Sequence, residues 1–145
     1  MADVESKPAG TVIFKQGKAH KHLFLLKRGE VRLIKDNGQR LLVMRVCRGQ
    51  EILNEVDVLS NKSAEYSAIA LSDIEYVKVD ASDIRQVLKI GPSWIKDLLD
   101  TLCERLNHTE ELILEHGLQS AESDKDFLIS KQEQEKYREA LDKFK

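Results

Sequence analysis

The sequence predicts a mainly β protein with C-terminal helices, an antiparallel roll or sandwich followed by a short helix, a long helix and a final extra helix. Two observations carry this reading. Short β-rich runs at 12–14, 23–26, 31–34, 41–46, 66–70 and 74–79 are punctuated by Gly17, Gly29, Asp36-Asn37-Gly38 and Gly49. From Asp83 onward the spacing of apolar residues turns helical and stays so. Strands this short and this closely spaced imply antiparallel pairing.

Within the β half, Asn37-Gly38 between two apolar runs is the best hairpin signal, since both residues tolerate positive φ. The helical half opens with a short segment to Ile90, a break at Gly91, and Pro92 where a first helical turn accepts it. The next helix runs to His116 with Gly117 as its cap. Ile95, Leu99, Leu102, Leu106, Thr109, Ile113 and His116 recur at alternating intervals of four and three, the spacing of a heptad seam suited to a homodimer. Leu98, Leu112 and Leu114 widen the stripe, so the helix is expected to serve its own domain as well. After a polar link at 118–122, Ser123 with Asp126 offers an N-cap signature for a last helix carrying Phe127, Leu128, Ile129, Tyr137, Leu141 and Phe144. That face is too narrow to hold a helix alone. It is read as packing back on its own domain or fraying, the alternative being a protein partner.

At 145 residues, 41% apolar and 33% charged, the chain reads as one domain of ordinary soluble composition. A formal net charge of −2 supplies no broad basic field for nonspecific nucleic-acid binding. No apolar run reaches the roughly 18 residues of a membrane span, and no signal-peptide core precedes the first strand. With Cys47 and Cys103 as the only cysteines, no disulfide framework is available, and a cytoplasmic setting is expected. Both thiols are read as structurally buried, and Phe24 and Trp94 as core residues. Serine nucleophile elbows, P-loops, paired cysteine motifs and recognisable acid/base carboxylate pairs are absent, so no enzyme and no cofactor are expected.

The residues from Gly49-Gln50-Glu51-Ile52-Leu53-Asn54-Glu55-Val56-Asp57-Val58-Leu59 through Ala64-Glu65-Tyr66-Ser67-Ala68 resemble the phosphate-binding cassette of cyclic nucleotide-binding domains. That cassette reads G-D-x-F-G-E-x-x-L-L, then R-x-A-x-V. Two further stretches are similar to the family's opening strands, 9–17 around Gly10, Ile13 and Gly17, and 23–33 around Gly29 and Val31. The resemblance covers about 10–116. It implies a cyclic nucleotide-binding-like jelly roll, a ribose-gripping glutamate at Glu55, and a dimer contact through the long helix. The domain division that follows is a flexible tail at 1–9, the roll at 10–91, the dimer-type helix at 92–117 and an extension at 118–145.

The cassette departs from the family pattern where the anion is held. Gly49 to Glu55 is one residue longer than usual, so Asn54 stands on the small glycine. Counting from Gly49 instead sets Asn54 on the glutamate and Leu53 on the glycine, and spoils the apolar pattern downstream. The arginine is missing in both registers, its candidate positions being Ala64, Glu65 and Tyr66, with Lys62 the nearest cation in sequence. If a ligand binds, the expected contacts are Asn54, Glu55, Lys62, Ser63 and Tyr66. The expected function is a regulatory or scaffolding module acting through protein contacts, and the alternative a small-molecule sensor with an altered phosphate site. In catabolite-activator-type regulators a winged helix-turn-helix follows the dimer helix; only 28 residues follow Gly117, and no DNA contact is expected. Gly17, His20, His22 and Glu30 faintly resemble a cupin metal motif, but Glu30 comes too late after His22, and no metal is expected.

Overall fold

Among the described residues seven strands form two antiparallel sheets, of order β1-β7-β3 and β2-β6-β4-β5. The strands are β1 (Val4–Lys7), β2 (Val12–Phe14), β3 (His22–Arg28), β4 (Glu30–Asp36), β5 (Leu41–Arg48), β6 (Ser67–Ala70) and β7 (Ile74–Asp80). The computed structural model describes residues 3–116 and 129–144, with side chains described as far as Thr109 in the long helix. Helices are α1 (Glu55–Leu59), α2 (Ala81–Ile90), α3 (Ser93–His116) and α4 (Lys131–Lys143).

Several strands read as unbroken apolar runs because both of their faces are covered. Phe24 and Leu26 of β3 meet Phe14, Val31, Leu33 and Tyr76 in the core between the sheets. Phe24 stacks on Phe14 at 5.6 Å between centroids and meets Tyr76 edge-on at 5.7 Å. Leu23 and Leu25, one residue out of phase, turn the other way and lie under Val58 of α1 with Ala81 and Ile84 of α2. On the second sheet Ile34, Leu41 and Ile69 face outward under Tyr137 and Leu141 of α4.

Residues 4–7, read from the sequence as part of a tail, are instead an edge strand with Val4 opposite Val77. Val4 itself is 59% exposed, so apolar patterning gave no sign of it. Its hold is polar and cross-strand. The Glu5 carboxylate accepts the Tyr76 hydroxyl at 3.0 Å and pairs with Lys78 at 3.0 Å. The hairpin foreseen at Asn37-Gly38 joins β4 to β5, but only Gly38, at φ +92°, uses the left-handed region. Asn37 contributes through its side chain, whose Oδ1 accepts from the Gln39 and Arg40 amides.

Helix α2 starts one turn earlier in its capping than the apolar pattern implied, with Asp80 accepting from the Ser82 amide. Helix α3 follows the Gly91-Pro92 break as expected, and the Gly117 cap lies outside the described residues. The predicted seam of α3 splits in the structure. Ile95 and Leu99 are half-buried and Cys103 is buried, because this i, i+4, i+8 row lies against α1 and α2. What remains outside is Trp94, Leu98, Leu102 and Leu106, between 44% and 62% exposed. Trp94 is therefore a surface residue, not part of the core. Thr109 is exposed, and the side chains of Ile113 and His116 lie outside the described residues.

The last helix is capped by Ser130, whose side chain accepts from the Glu133 amide while the Glu133 carboxylate accepts from the Ser130 amide. Ser123 and Asp126 lie outside the described residues. Helix α4 packs back on the roll. Arg32, only 6% exposed, donates from Nη1 to Glu133 Oε2 at 2.9 Å and to the Tyr137 hydroxyl at 3.0 Å. The Gln134 side chain accepts from the Leu41 amide at 3.0 Å and donates to its carbonyl at 2.8 Å, which occupies the backbone groups at the start of edge strand β5.

Candidate ligand-binding site

After β5 the chain runs beside β3: Leu26 donates its amide to the Glu51 carbonyl at 2.8 Å, and Leu53 donates to Phe24 at 3.0 Å. Asn54 then enters the interior at 1% exposure. Its Oδ1 accepts the Phe24 amide at 2.9 Å, and its Nδ2 donates to the His22 carbonyl at 2.8 Å. The side chain thus imitates a strand neighbour for β3 where the ladder with the cassette stops. That use explains the Asn in place of the family's glycine, and its φ of −139° asks for no glycine. Both ends of the Asn54 side-chain amide are thus engaged by β3.

Helix α1 begins at the next residue, with Val56 and Val58 buried and Glu55 half-buried. The Glu55 Oε1 lies 3.8 Å from Arg45 Nη1, so Glu55 is paired with an arginine from β5. Arg45 also donates from Nη2 to the Ile52 carbonyl at 3.0 Å. Two other atoms of the pair, Arg45 Nε and Glu55 Oε2, are buried without a hydrogen-bond partner. Cys47 sits next along the same face, fully buried; burial raises its thiol pKa, and the Arg45 charge partly opposes that.

Sequence alternation concealed Arg45. Leu41, Val43, Arg45 and Cys47 read as one face of a regular strand. The register slips at Met44, however: Ile34 pairs with Val43, whereas Leu33 pairs with Arg45. This bulge turns Leu41 outward, under α4, and Cys47 into the core, and sets Arg45 on the same face as its partner Leu33, with its side chain still 42% exposed. A one-residue slip reverses the face of everything beyond it.

Of the residues expected at the site, Glu55 and Tyr66 are brought near Arg45, and Tyr66 is 5% exposed within the core. Lys62 and Ser63 are exposed in the loop before β6, and Lys62 gives its backbone amide to the Asp57 carbonyl at 2.9 Å. Among the described residues no group of three or more His, Cys, Asp or Glu side chains is placed to hold a metal. His20 lies 5.2 Å from the Phe14 ring with Nε2 3.3 Å from the Lys15 carbonyl, and burial lowers its pKa. No helix among the described residues is long and apolar enough to cross a membrane.

Two facing sheets with the cassette helix α1 and helix α2 packed on the outer side of β3 fall within the residues, 4–90, that the family model described as cyclic nucleotide-binding domain matches. The chain belongs to the cyclic nucleotide-binding domain family. Solved structures with this fold include the EAL enzyme Bd1971 bound to cAMP and cyclic-di-GMP (TM-score 0.70, 19% identity, 82% of this chain and 31% of that one). The Thermus thermophilus catabolite activator protein superposes with TM-score 0.62 at 22% identity, over 82% of this chain and 55% of that one. The sensor domain of the Pseudomonas aeruginosa transcriptional regulator DNR gives 0.64 at 16%, over 76% and 75%. These identities establish a shared fold. The chain spans about a third of the length of the first Bd1971 structures it matches. No curated protein matches the sequence.

Proposed function

We propose that this cyclic nucleotide-binding domain is a nonenzymatic regulatory or scaffolding module that acts through protein contacts and does not hold cAMP or cGMP in the family's usual way. The carrying observation is the Arg45–Glu55 pair. The cassette glutamate is engaged from within by β5, while the positions that would bring an arginine from the far side of the cassette hold Ala64, Glu65 and Tyr66. Loss of a charge-assisted contact to phosphate costs roughly 1.5–3 kcal/mol. A nucleotide must also compete with Arg45 for Glu55. Isothermal titration of the protein with cAMP and cGMP is expected to show no saturable heat in the low micromolar range. Binding at micromolar Kd or tighter overturns the proposal.

The surface that supports a protein contact is the exposed row Trp94, Leu98, Leu102 and Leu106 on α3; Val87 and Ile90 of α2 are also exposed, at 70% and 88%. A second copy of the chain is the proposed occupant. The row follows i, i+4 ridges instead of a heptad, which favours two helices crossing near −50° over a parallel coiled coil. Sedimentation of the protein is expected to give a dimer, and Leu98→Glu with Leu102→Glu a monomer. A native monomer at high micromolar concentration counts against it.

One observation favours the sensor reading. Arg45 Nε and Glu55 Oε2 are orphaned inside the site, and a ligand bearing both a hydroxyl and an anionic oxygen would satisfy them. In that reading Arg45 supplies the cation and Glu55 the hydroxyl contact. A cyclic nucleotide or related ligand that raises the melting temperature of the native protein but not of Arg45→Ala decides for it.

A further inference from the structure

Helices α1, α2 and α3 meet at a groove of about 310 Å³ whose floor is Leu59, Leu88 and Leu99. Its rim carries Arg85, Lys89 and Lys96 against a single carboxylate, Asp100. We propose that this groove binds a small amphiphilic anion, an unbranched acyl carboxylate whose chain lies on the leucines and whose carboxylate is held by the rim. The proposal goes beyond the function set out above and uses none of the residues of the Glu55 site.

The size is at the small end of pockets that hold organic ligands, and junctions between helices are common places for them. Charge selects the class. Three cations outnumber the one acid, and Arg85 spends only one guanidinium N–H on the Asn61 side-chain oxygen, at 2.9 Å. The leucines are half-buried, so an apolar body gains contact by completing their cover. A neutral alcohol of the same chain length gains the floor but not the rim, whereas a dianion meets Asp100 as well as the cations.

The groove is also separate from the exposed stripe proposed for the second copy. At about 100° per residue, Lys96 and Asp100 lie roughly 160° from Leu98 around the axis of α3, on either side of the direct opposite. On α2, Val87 lies roughly 160° from both Arg85 and Lys89, whereas Ile90 lies roughly 140° from Arg85 and roughly 100° from Lys89. A dimer formed through the stripe therefore leaves the groove open, and a ligand there would touch all three helices without competing for that surface.

The test is an amide-resolved NMR titration of the full chain with decanoate, and in parallel with decanol, below their aggregation limits. Saturable shifts centred on the Asn61, Leu88 and Leu99 amides are expected, with decanoate binding roughly tenfold more tightly than decanol. Lys89→Gln with Lys96→Gln removes most of that preference while leaving decanol binding in place. These lysines are exposed, so the variant should fold; if it does not, the comparison of the two ligands on the native chain still decides. Equal affinity for acid and alcohol, shifts centred on Trp94 and Leu102, or no saturable change in the native chain overturns the proposal.

Discussion

Replacing Asn54 by Ala tests the claim that this residue is a structural bridge between the cassette and β3. The change strands the buried Phe24 amide and the part-buried His22 carbonyl, which Asn54 contacts at 2.9 and 2.8 Å. Phe24 is 5% exposed and Asn54 1%, so water has no ready access to the amide. Each stranded group costs about 1–3 kcal/mol, and relaxation of β3 recovers part of it, so a net loss of about 3 kcal/mol is expected. In a domain of this size that lowers the melting temperature by roughly 6–12 °C. Urea denaturation followed by far-UV circular dichroism measures it directly. Asn54→Asp gives a sharper signature. Its ionised carboxylate still accepts from Phe24 but opposes the His22 carbonyl oxygen, so its folded-state pKa is raised by burial. Protonation restores a donor, and this variant, unlike Asn54→Ala, regains stability as pH falls through that raised pKa. An Asn54→Ala protein within about 0.5 kcal/mol of the native one, the range of an ordinary surface change, refutes the bridge.

Three further outcomes follow from the same geometry. Gly29→Ala is expected to cost about 3 kcal/mol or more, read as a fall in urea midpoint. At φ +97° an added Cβ meets the Asp73 carbonyl at 2.5 Å and Ile74 Cγ2 at 2.8 Å. Acid should release α4 before the roll unfolds. For Glu133, burial pushes the pKa up, but hydrogen bonds from Tyr137, Arg32 and the Ser130 amide outweigh it, and the net direction is down from 4.5. Asp36 is held below 3.8, chiefly by the Gly38 amide and then, against burial, by Arg138. Depressed carboxylates stabilise above their unfolded values and lose that contribution as pH falls through the folded ones, so the protection of the amides in 131–143, each rate taken relative to its intrinsic exchange rate at that pH, should fall below about pH 4.5. Glu133→Gln should flatten that dependence; unchanged protection of α4 down to pH 3 contradicts it. Finally, Tyr76→Phe removes the hydroxyl that Glu5 accepts, and should loosen β1 selectively at about 1 kcal/mol, visible as faster exchange at residues 4–7 with β3 unaffected. Burial first, and then the same contact, push the Tyr76 pKa up to about 12, so a phenol titrating at an ordinary value would deny this buried, Glu5-bonded placement.

The sequence alone determined the order of the strands from Val12 to Val79, the β4–β5 hairpin, the break before α3 and the family, because each is written in short-range signals. Alternating apolar residues, glycines at turns and a proline after a glycine act within a few positions of themselves. It also carried the Ser130/Glu133 capping box, although the earlier serine at 123 offers a similar pattern and nothing local ranks the two. Tertiary structure decided everything that depends on which face a residue presents. The slip at Met44 reverses β5 and carries Arg45 to Glu55, ten positions further along the chain, a change that leaves the alternation of side-chain types untouched. Asn54 was legible as a departure from a glycine, but its role requires His22 and Phe24, which approach it only once β3 is in place. The long helix displays the same division. Its amphipathic spacing announced an apolar stripe, yet whether Ile95 and Leu99 or Trp94 and Leu98 stay outside depends on where α1 and α2 press against it, a contact between elements that no spacing within α3 encodes.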